Sequence, residues 1–436
     1  MLPEAVQHDC IPLGSEANRN RQSKRHLMYI PSWPCLTSSQ LHFRESQRPL
    51  PFPLEAASRK YFYVARNGIY HLFRALGLAS HESVLVPDYH SGNETSAMRA
   101  AGVNIRFYPI RRDLQPDFDA LERLCGPETR ALYVIHFMGW PQPMHGLLEF
   151  CRARGLLLIE DCALSFLSEF EGRPLGSFGD YAVFCLYKTL PIPNGAVLLQ
   201  NRGHLRTLED FETLDPKWIS VLSRSSELLL ESLRSRFPRA GAMLAGIKAA
   251  AGSTLTALSI ERERVGNIGF DLDKVDTGMS SLCHWLLPRF NYELIRNQRR
   301  ANFQWLDERL RGKVNLLPLS LADGVCPLFL PILVEDKKAV AADLTRRGIG
   351  VVELWNEGDP EANGPDSEDA LFLRRHVLEL PIHQNVSEAQ LNYIAQEVTR
   401  RVRSTERLHV PFAAPIAAPI AAENQMSAIE PVSLCA

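Results

Sequence analysis

Two apolar runs of the chain end in side chains that could do chemistry. "LLLIED" ends in Glu160 and Asp161, and "VFCLYK" ends in Lys188. A lysine is rarely fully buried without a partner, so Lys188 is either a surface lysine at a strand end or an amine held in a pocket. If both strands end on the same side of a sheet, the amine and one of the two carboxylates face a common cavity, because the pleat points consecutive residues to opposite faces.

This pair of groups suits the chemistry of an aldehyde cofactor. A desolvated lysine has a depressed pKa and can attack a carbonyl or aldehyde to form a Schiff base. A carboxylate opposite it would hold a pyridinium proton, which keeps a pyridoxal ring electron-withdrawing. Asp161 could instead cap a following helix, "CALSF". Its place at a strand end beside the lysine favours the cofactor role. Glu160 is expected to be structural or to support the site from behind, and His136 to be a satisfied core histidine or part of the pocket wall, without a proton-transfer role.

A third segment offers a site for a phosphate group. "VARNGIYHLFRALGL" has Arg66, Asn67 and Gly68 directly before a predicted helix. Backbone N–H groups and the positive end of the helix dipole suit a phosphate there, and Arg66 could clamp it. The same pattern is also typical of plain helix capping.

The elements that must position these residues alternate between strand and helix from Tyr61 to Gly203. The predicted strands are "SVLVPDY", "NIRFYPI", "RALYVIHF", "LLLIED", "YAVFCLY" and "GAVLLQ", and helical stretches lie between the first four. This alternation predicts an α/β fold with a largely parallel sheet covered by helices on both faces. Ligands of such sheets bind beyond the carboxyl ends of the strands, where Asp161 lies.

Pattern and composition divide the chain into five segments. We expect an irregular N-terminal arm, a large cofactor-binding α/β domain, a helical insertion, a small α+β C-terminal domain and a disordered Pro/Ala-rich tail. Their predicted limits are residues 1–55, 56–203, 204–275, 276–405 and 406–436. In the small domain, "CPLFLPILV", "KKAVAADLTRR", "GIGVV" and "SEAQLNYIAQEVTRRVRS" are predicted to form strand, helix, strand and helix.

Composition excludes several other classes of protein. The chain has 436 residues, is 45% hydrophobic and has a formal net charge of −2, so no basic excess indicates nucleic acid binding. The nine cysteines occur singly with no C-x-x-C pair, which favours reduced thiols over disulfides or a zinc site, and no metal is expected. The most apolar stretch, residues 242–260, is interrupted by Lys248 and is predicted to be a helix packed on protein. No membrane span and a cytoplasmic location are therefore expected.

The segment "LLLIEDCALSFLSEFEGRPLGSFGDYAVFCLYKTLPIPNGAVLL" resembles the DegT/DnrJ/StrS family of fold-type-I, pyridoxal-phosphate-dependent aminotransferases. Members typically have "IEDAAQ", then "G..VGSFGD", then a lysine before a glycine-bearing strand. "VLVPDYHSGNETSAMRAAG" and "HFMGWPQPMHGLLEFCRARGL" are similar to two further blocks of the family. The resemblance covers residues 60–200 strongly and 275–400 loosely. It implies a large domain with a mostly parallel seven-stranded sheet sandwiched by helices, followed by a small α+β domain.

The resemblance also assigns roles to individual residues. It implies that Lys188 binds the pyridoxal 5'-phosphate covalently and moves protons, and that Asp161 pairs with the pyridine nitrogen. The phosphate would lie on Arg66, Asn67 and Gly68. Cys185 stands where relatives keep a phosphate-binding serine, and His90 or Tyr89, with His90 preferred, would stack on the ring.

The same resemblance implies a reaction and an assembly. An amino group would pass from a donor, glutamate in most members, to a keto acceptor. The acceptor expected is a nucleotide-linked keto sugar of polysaccharide or secondary-metabolite biosynthesis, and the enzyme is expected to be a homodimer.

Three departures keep two alternatives open. Leu164 replaces the family's glutamine, Cys185 replaces its serine, and the segment 204–275 is longer and more helical than in the family. The first alternative is another pyridoxal-phosphate reaction on the same fold. The second is a non-catalytic binding or regulatory protein, against which the retention of Lys188 and Asp161 argues.

Overall fold

The computed structural model describes residues 28–42, 48–241, 243, 244, 246, 270–402 and 404–410. Its strands are β1 (Arg59–Phe62), β2 (Ser83–Pro87), β3 (Asn104–Tyr108), β4 (Thr129–Ile135), β5 (Leu157–Asp161), β6 (Glu169–Phe170), β7 (Arg173–Pro174), β8 (Tyr181–Cys185), β9 (Ala196–Gln200), β10 (Asn315–Leu316), β11 (Phe329–Leu333) and β12 (Val377–Pro381). Its α-helices are α1 (Ser38–His42), α2 (Ala65–Leu76), α3 (Asn93–Ala100), α4 (Phe118–Leu124), α5 (Met144–Arg154), α6 (Arg206–Glu209), α7 (Trp218–Arg236), α8 (Ser281–Leu286), α9 (Tyr292–Leu310), α10 (Lys337–Arg346), α11 (Glu368–His376) and α12 (Glu388–Arg401).

A seven-stranded sheet forms the centre of the molecule, in the order β1-β9-β8-β5-β4-β2-β3. The pairs from β3 across to β8 are all parallel, and β9 runs antiparallel to both of its neighbours, β8 and β1. Every residue of β2, β8 and β9 is buried, as expected for strands covered on both faces. The predicted α/β fold is therefore confirmed, with all six predicted strands present. Sequence analysis missed β1, because "RKYF" is short and half charged.

Helix α2 lies against the antiparallel side of this sheet. It ends at Gly77, whose φ of 60° is the left-handed conformation common at helix C-termini. Gly68 lets the helix approach the sheet closely: a Cβ there would lie 3.2 Å from the Phe62 ring and 3.5 Å from the Leu198 Cβ. The glycine therefore serves the packing of α2, whatever else its backbone binds.

A second, antiparallel sheet of three strands has the order β10-β11-β12. Helices α9, α10 and α12 pack around it. The strand predicted at "GIGVV" is wrong, since this segment makes only the isolated bridges Ile349 to Ile30 and Val352 to Glu379. The N-terminal segment packs directly against this stretch: a Cβ at Gly348, which has φ +83°, would lie only 2.1 Å from the Met28 carbonyl oxygen. The stretch therefore contacts the N-terminal segment and does not form a strand of the sheet. The strand that pairs with β11 on its other side in this sheet is β12.

The described part of the N-terminal segment is attached to the rest of the fold. The Ile30 N–H donates to the Gly348 carbonyl and the Gly350 N–H to the Ile30 carbonyl, both at 2.7 Å. The Tyr29 hydroxyl donates to Glu231 on α7. Most of the predicted arm, the predicted helix at 242–260 and the tail beyond residue 410 lie outside the described residues. None of the described helices combines the length and the hydrophobicity needed to cross a bilayer.

Candidate active site

Asp161 and Lys188 lie at the carboxyl ends of two neighbouring parallel strands. Asp161 is the last residue of β5 and pairs with Val183 of β8. Strand β8 ends at Cys185, and a 3-10 turn over Leu186–Lys188 carries the lysine, so the strand ends earlier than at Tyr187, where the sequence suggested. Lys188 is half-buried, and its positive charge lowers the pKa of Asp161. The lysine charge thus acts on the carboxylate of the neighbouring strand.

The Asp161 carboxylate is fixed by a hydrogen bond to each oxygen. The Tyr133 hydroxyl donates to Oδ2 at 2.6 Å, and the Ala163 N–H donates to Oδ1 at 2.8 Å. Burial and, after it, the charge of Glu94 raise the pKa of Asp161 to about 6, against the lowering effects of Tyr133, Ala163 and Lys188. Residues 162–168 form turns, so Asp161 caps a turn rather than the helix that was its alternative role.

The loop that follows Lys188 is tied down at both ends. The Leu186 N–H donates to the Gly195 carbonyl at 2.9 Å. The Asn194 side chain accepts from the Ser280 N–H at 2.9 Å and donates to the Ser280 hydroxyl at 3.1 Å. Gly195, at φ +131°, has no room for a Cβ, which would lie 2.7 Å from the Met279 sulfur. These contacts return the chain directly from the lysine turn into β9.

Residues of α9 and of the loop after β12 contact the same turn. The Thr189 carbonyl, next to Lys188, accepts hydrogen bonds from Gln384 at 3.1 Å and from the buried guanidinium of Arg299 at 3.4 Å. Arg299 also donates to Gln384 at 3.0 Å. The backbone beside the lysine is therefore held from α9 and from the loop after β12.

The predicted phosphate residues lie in the first turn of α2 rather than before it, because the helix already begins at Ala65. Val64, the N-cap residue, provides no side-chain cap for the first N–H groups. Arg66 donates to Asn93 at 3.3 Å, and Asn67 donates to the Lys274 carbonyl at 2.9 Å. The charge of Arg66 also acts to lower the pKa of Tyr187, although burial raises that pKa overall. The start of α2 therefore lies close to the lysine turn.

The two rings predicted to stack on a cofactor are packed against protein instead. The His90 ring stacks on Phe107, with centroids 5.4 Å apart and planes at 7°, and the Tyr89 ring contacts Phe137 and Trp355. Both residues have no accessible surface, and burial lowers the pKa of His90 to about 4. The stacking role stays a prediction, and neither ring has an open face for it.

Cys185 is fully packed at the end of β8, beside Lys188 and Tyr187. Burial raises the pKa of its thiol, against the lowering effect of the Lys188 charge. A protonated thiol is a weak nucleophile and a weak hydrogen-bond donor, so Cys185 contributes packing at this position. Leu164, which stands where the family resemblance leads us to expect a glutamine, is buried as well.

Behind the sheet face that carries Asp161, the described residues include one cluster with metal-binding residue types: His136, Glu160 and Cys162. Glu160 accepts hydrogen bonds from the N–H groups of Gly176, Phe178 and Gly179 and from His136 Nε2 at 3.1 Å. His136 Nδ1 in turn accepts from the Gln142 N–H. Both side chains thus have hydrogen-bond partners, as a satisfied core histidine and a structural glutamate would, and their roles stay predictions.

Sequence reasoning missed Tyr133 and Glu94. Tyr133 lies on a predicted strand, but the register that points its hydroxyl at Asp161 depends on how β4 pairs with β5. Glu94 lies on α3, and its effect on Asp161 follows from how that helix packs on the sheet. No signal in the sequence identifies either residue.

Comparison with known proteins agrees with this geometry. Residues 65–205 match the DegT/DnrJ/EryC1/StrS aminotransferase family. The dTDP-4-dehydro-2,3,6-trideoxy-D-glucose 4-aminotransferase of Saccharopolyspora spinosa is 26% identical over 76% of this chain and 80% of its own length. The UDP-N-acetyl-3-dehydro-alpha-D-glucosamine 3-aminotransferase of Acidithiobacillus ferrooxidans is 27% identical over 41% of this chain, which spans about half of that relative (52%).

A solved structure shares the fold of the described chain. PseC of Helicobacter pylori, an aminotransferase involved in the biosynthesis of pseudoaminic acid, superposes with a TM-score of 0.58 at 17% identity, covering 86% of this chain and 98% of its own. The family resemblance read from the sequence is confirmed. The residues that match the family model include Asp161 and Lys188 at the edge of the large sheet.

Proposed function

We propose that the chain is a pyridoxal-phosphate-dependent aminotransferase. The observation that carries the proposal is that a lysine and a buried carboxylate lie at the neighbouring carboxyl ends of β5 and β8, with the lysine charge acting on the carboxylate. Structural ion pairs also bring such groups together, but here the lysine turn is held by contacts from α8, α9 and the loop after β12.

The residues of the site suit pyridoxal phosphate in their chemistry. Each Asp161 oxygen has one donor, and an ionised carboxylate can accept about four hydrogen bonds, so capacity remains for a ring N–H. The first turn of α2, without a side-chain cap, suits the phosphate. The closed rings of Tyr89 and His90 are the part of the predicted site that does not fit.

Each residue would then have a distinct task. Bound pyridoxal phosphate would supply the electron-withdrawing ring. Lys188 Nζ would anchor the cofactor, release it to the amino donor and afterwards carry the proton between carbon atoms. Asp161 would accept a hydrogen bond from the ring nitrogen, and Arg66 and the N–H groups of α2 would bind the phosphate.

The acceptor we propose is a keto sugar attached to a nucleotide, with glutamate as the amino donor. The support is that the relatives named above act on dTDP- and UDP-linked sugars, as their names state. A homodimer and a cytoplasmic location are part of the same proposal, by analogy with the family.

The test is an absorption titration of the purified chain with pyridoxal phosphate, followed by amino donors and keto-sugar nucleotides. A yellow band that glutamate bleaches and a keto-sugar nucleotide restores is the expected result. A yellow band that no amino donor bleaches would favour a different pyridoxal-phosphate reaction. A chain that stays colourless would favour the non-catalytic alternative, for which the buried Leu164 and the closed His90 and Tyr89 rings are the supporting observations.

A further inference from the structure

The Tyr133 hydroxyl is buried inside the main sheet and bonded to the carboxylate at its edge. Tyr133 pairs with Ile159, and Ile135 pairs with Asp161, so Tyr133 and Asp161 lie on the same face of neighbouring strands, two positions apart. The hydroxyl donates to Asp161 Oδ2 at 2.6 Å, and Tyr133 has no accessible surface. An O–H···O⁻ bond of this length is in the range of strong, charge-assisted hydrogen bonds.

We propose that Tyr133 is a positioning residue that orients the Asp161 carboxylate and keeps it ionised for a pyridine N–H. The inference rests on the proposed function and goes beyond it by assigning a task to a residue outside the cofactor-binding set. A buried tyrosine needs a partner for its hydroxyl in any case. The partner here is the one carboxylate whose ionised state the cofactor would require.

The groups that face Asp161 come from four elements. Glu94 lies on α3, Tyr133 on β4, Ala163 directly after β5, and Lys188 and Cys185 at and beyond the end of β8. Burial and the Glu94 charge favour the protonated carboxyl, whereas Tyr133, the Ala163 N–H and Lys188 favour the carboxylate. Because the net effect already raises the pKa to about 6, loss of the Tyr133 hydrogen bond would raise it further and increase the protonated fraction near neutral pH. A protonated Asp161 could not stabilise a protonated ring nitrogen.

The chain provides a matched control in Tyr108. This tyrosine is the last residue of β3 in the same sheet and is also buried, and its hydroxyl donates to the Tyr133 carbonyl at 3.1 Å rather than to Asp161. Tyr108→Phe and Tyr133→Phe each remove one buried hydroxyl from the same region. A purely structural role for Tyr133 predicts that the two variants behave alike.

The first readout uses the cofactor-free full-length protein. The pKa of the Asp161 carboxyl is measured by ¹³C NMR, with the signal assigned by its loss in Asp161→Asn. We expect Tyr133→Phe to raise this pKa by about 1 relative to the wild type, and Tyr108→Phe to leave it unchanged. Equal pKa values in the wild type and in Tyr133→Phe would overturn the inference, as would equal increases in both variants.

The second readout is the protonation state of the ring nitrogen in ¹⁵N-labelled pyridoxal phosphate added to each protein. We expect a protonated nitrogen in the wild type and Tyr108→Phe, and a signal shifted toward the neutral form in Tyr133→Phe. If the wild type binds the cofactor and the signal is identical in all three proteins, the positioning role is wrong and the proposed function stands. If the wild type does not bind the cofactor at all, the positioning role of Tyr133 and the proposed function are both contradicted.

Discussion

At the residue scale, the sequence predicts the reactive pair but not the environment that tunes it. The apolar runs before Asp161 and Lys188 identify buried strands, so the two residues could be named without a structure. The Tyr133 hydrogen bond and the Glu94 charge could not, because they depend on strand register and helix packing. The assignment of a stacking ring to His90 or Tyr89 came from the family resemblance and from their place in the loop after β2, neither of which defines the direction of a side chain.

The first prediction concerns His90. Because its ring is stacked on Phe107 and has no accessible surface, we expect His90→Leu to bind pyridoxal phosphate within about threefold of the wild type, which is less than 1 kcal/mol. Fluorescence titration measures the dissociation constant, and urea unfolding confirms that the variant is folded. Asp161→Asn is the comparison that should lose affinity clearly. A loss of tenfold or more in His90→Leu would mean that the ring repacks onto the cofactor.

At the element scale, the turn after β8 is the decisive feature. Sequence analysis extended the strand through Tyr187, whereas the structure ends it at Cys185. The difference arises because Gly195 and Asn194 bring the chain back at once, through contacts with Met279 and Ser280 that lie far away in sequence. The boundaries predicted for the five segments of the chain stay predictions.

The second prediction tests that turn. Asn194→Ala removes both hydrogen bonds to Ser280, so we expect a loss of about 1–3 kcal/mol in the free energy of unfolding. We also expect the lysine to be trapped several-fold more slowly by pyridoxal phosphate and borohydride, because the turn is less ordered. Ser387→Ala, which removes the N-cap of α12 at a cost of about 1 kcal/mol, serves as the control and should keep the wild-type rate. Equal trapping rates in both variants would show that the Ser280 contacts do not position Lys188.

At the scale of the whole molecule, a buried arginine connects the segment after β2 of the large sheet with the part of the chain that forms the three-stranded sheet. Arg374 on α11 donates to the carbonyls of Asp88 and His90 after β2 and to those of Trp355 and Glu357. Near it, Glu379 on β12 has no accessible surface. Its Oε2 accepts from the Leu354 N–H at 3.1 Å, and Oε1 has no partner in the described part of the chain. Sequence analysis did not identify Glu379 as a buried residue, because it did not predict "VLELP" to be a strand.

The third prediction follows from Glu379. Burial raises its pKa to about 8, against the lowering effect of the Lys337 charge. Between its usual pKa and pH 8 the unfolded chain binds fewer protons than the folded one, so the wild type loses stability as the pH rises through this window. Glu379→Gln has no carboxyl to ionise and does not lose this stability. The difference in the free energy of unfolding, variant minus wild type, should therefore increase by up to about 1.4 kcal/mol for each unit by which the pH rises.

Urea unfolding between pH 5 and pH 8.5 measures this difference. The exposed Glu308, replaced by Gln, is the control and should follow the wild-type profile. A constant difference between Glu379→Gln and the wild type over this range would mean that Glu379 is already ionised in the folded protein.

The central claim is that Lys188 anchors pyridoxal phosphate. The most direct measurement is peptide mass spectrometry after incubation with pyridoxal phosphate and reduction with borohydride, on the wild type, Lys188→Ala and the surface variant Lys313→Ala. The account predicts one reduced pyridoxyl group on the peptide that contains Lys188, in the wild type and in Lys313→Ala, and none on the corresponding peptide of Lys188→Ala. Equal labelling of Lys188→Ala at another lysine, or no labelling of the wild type, would contradict it.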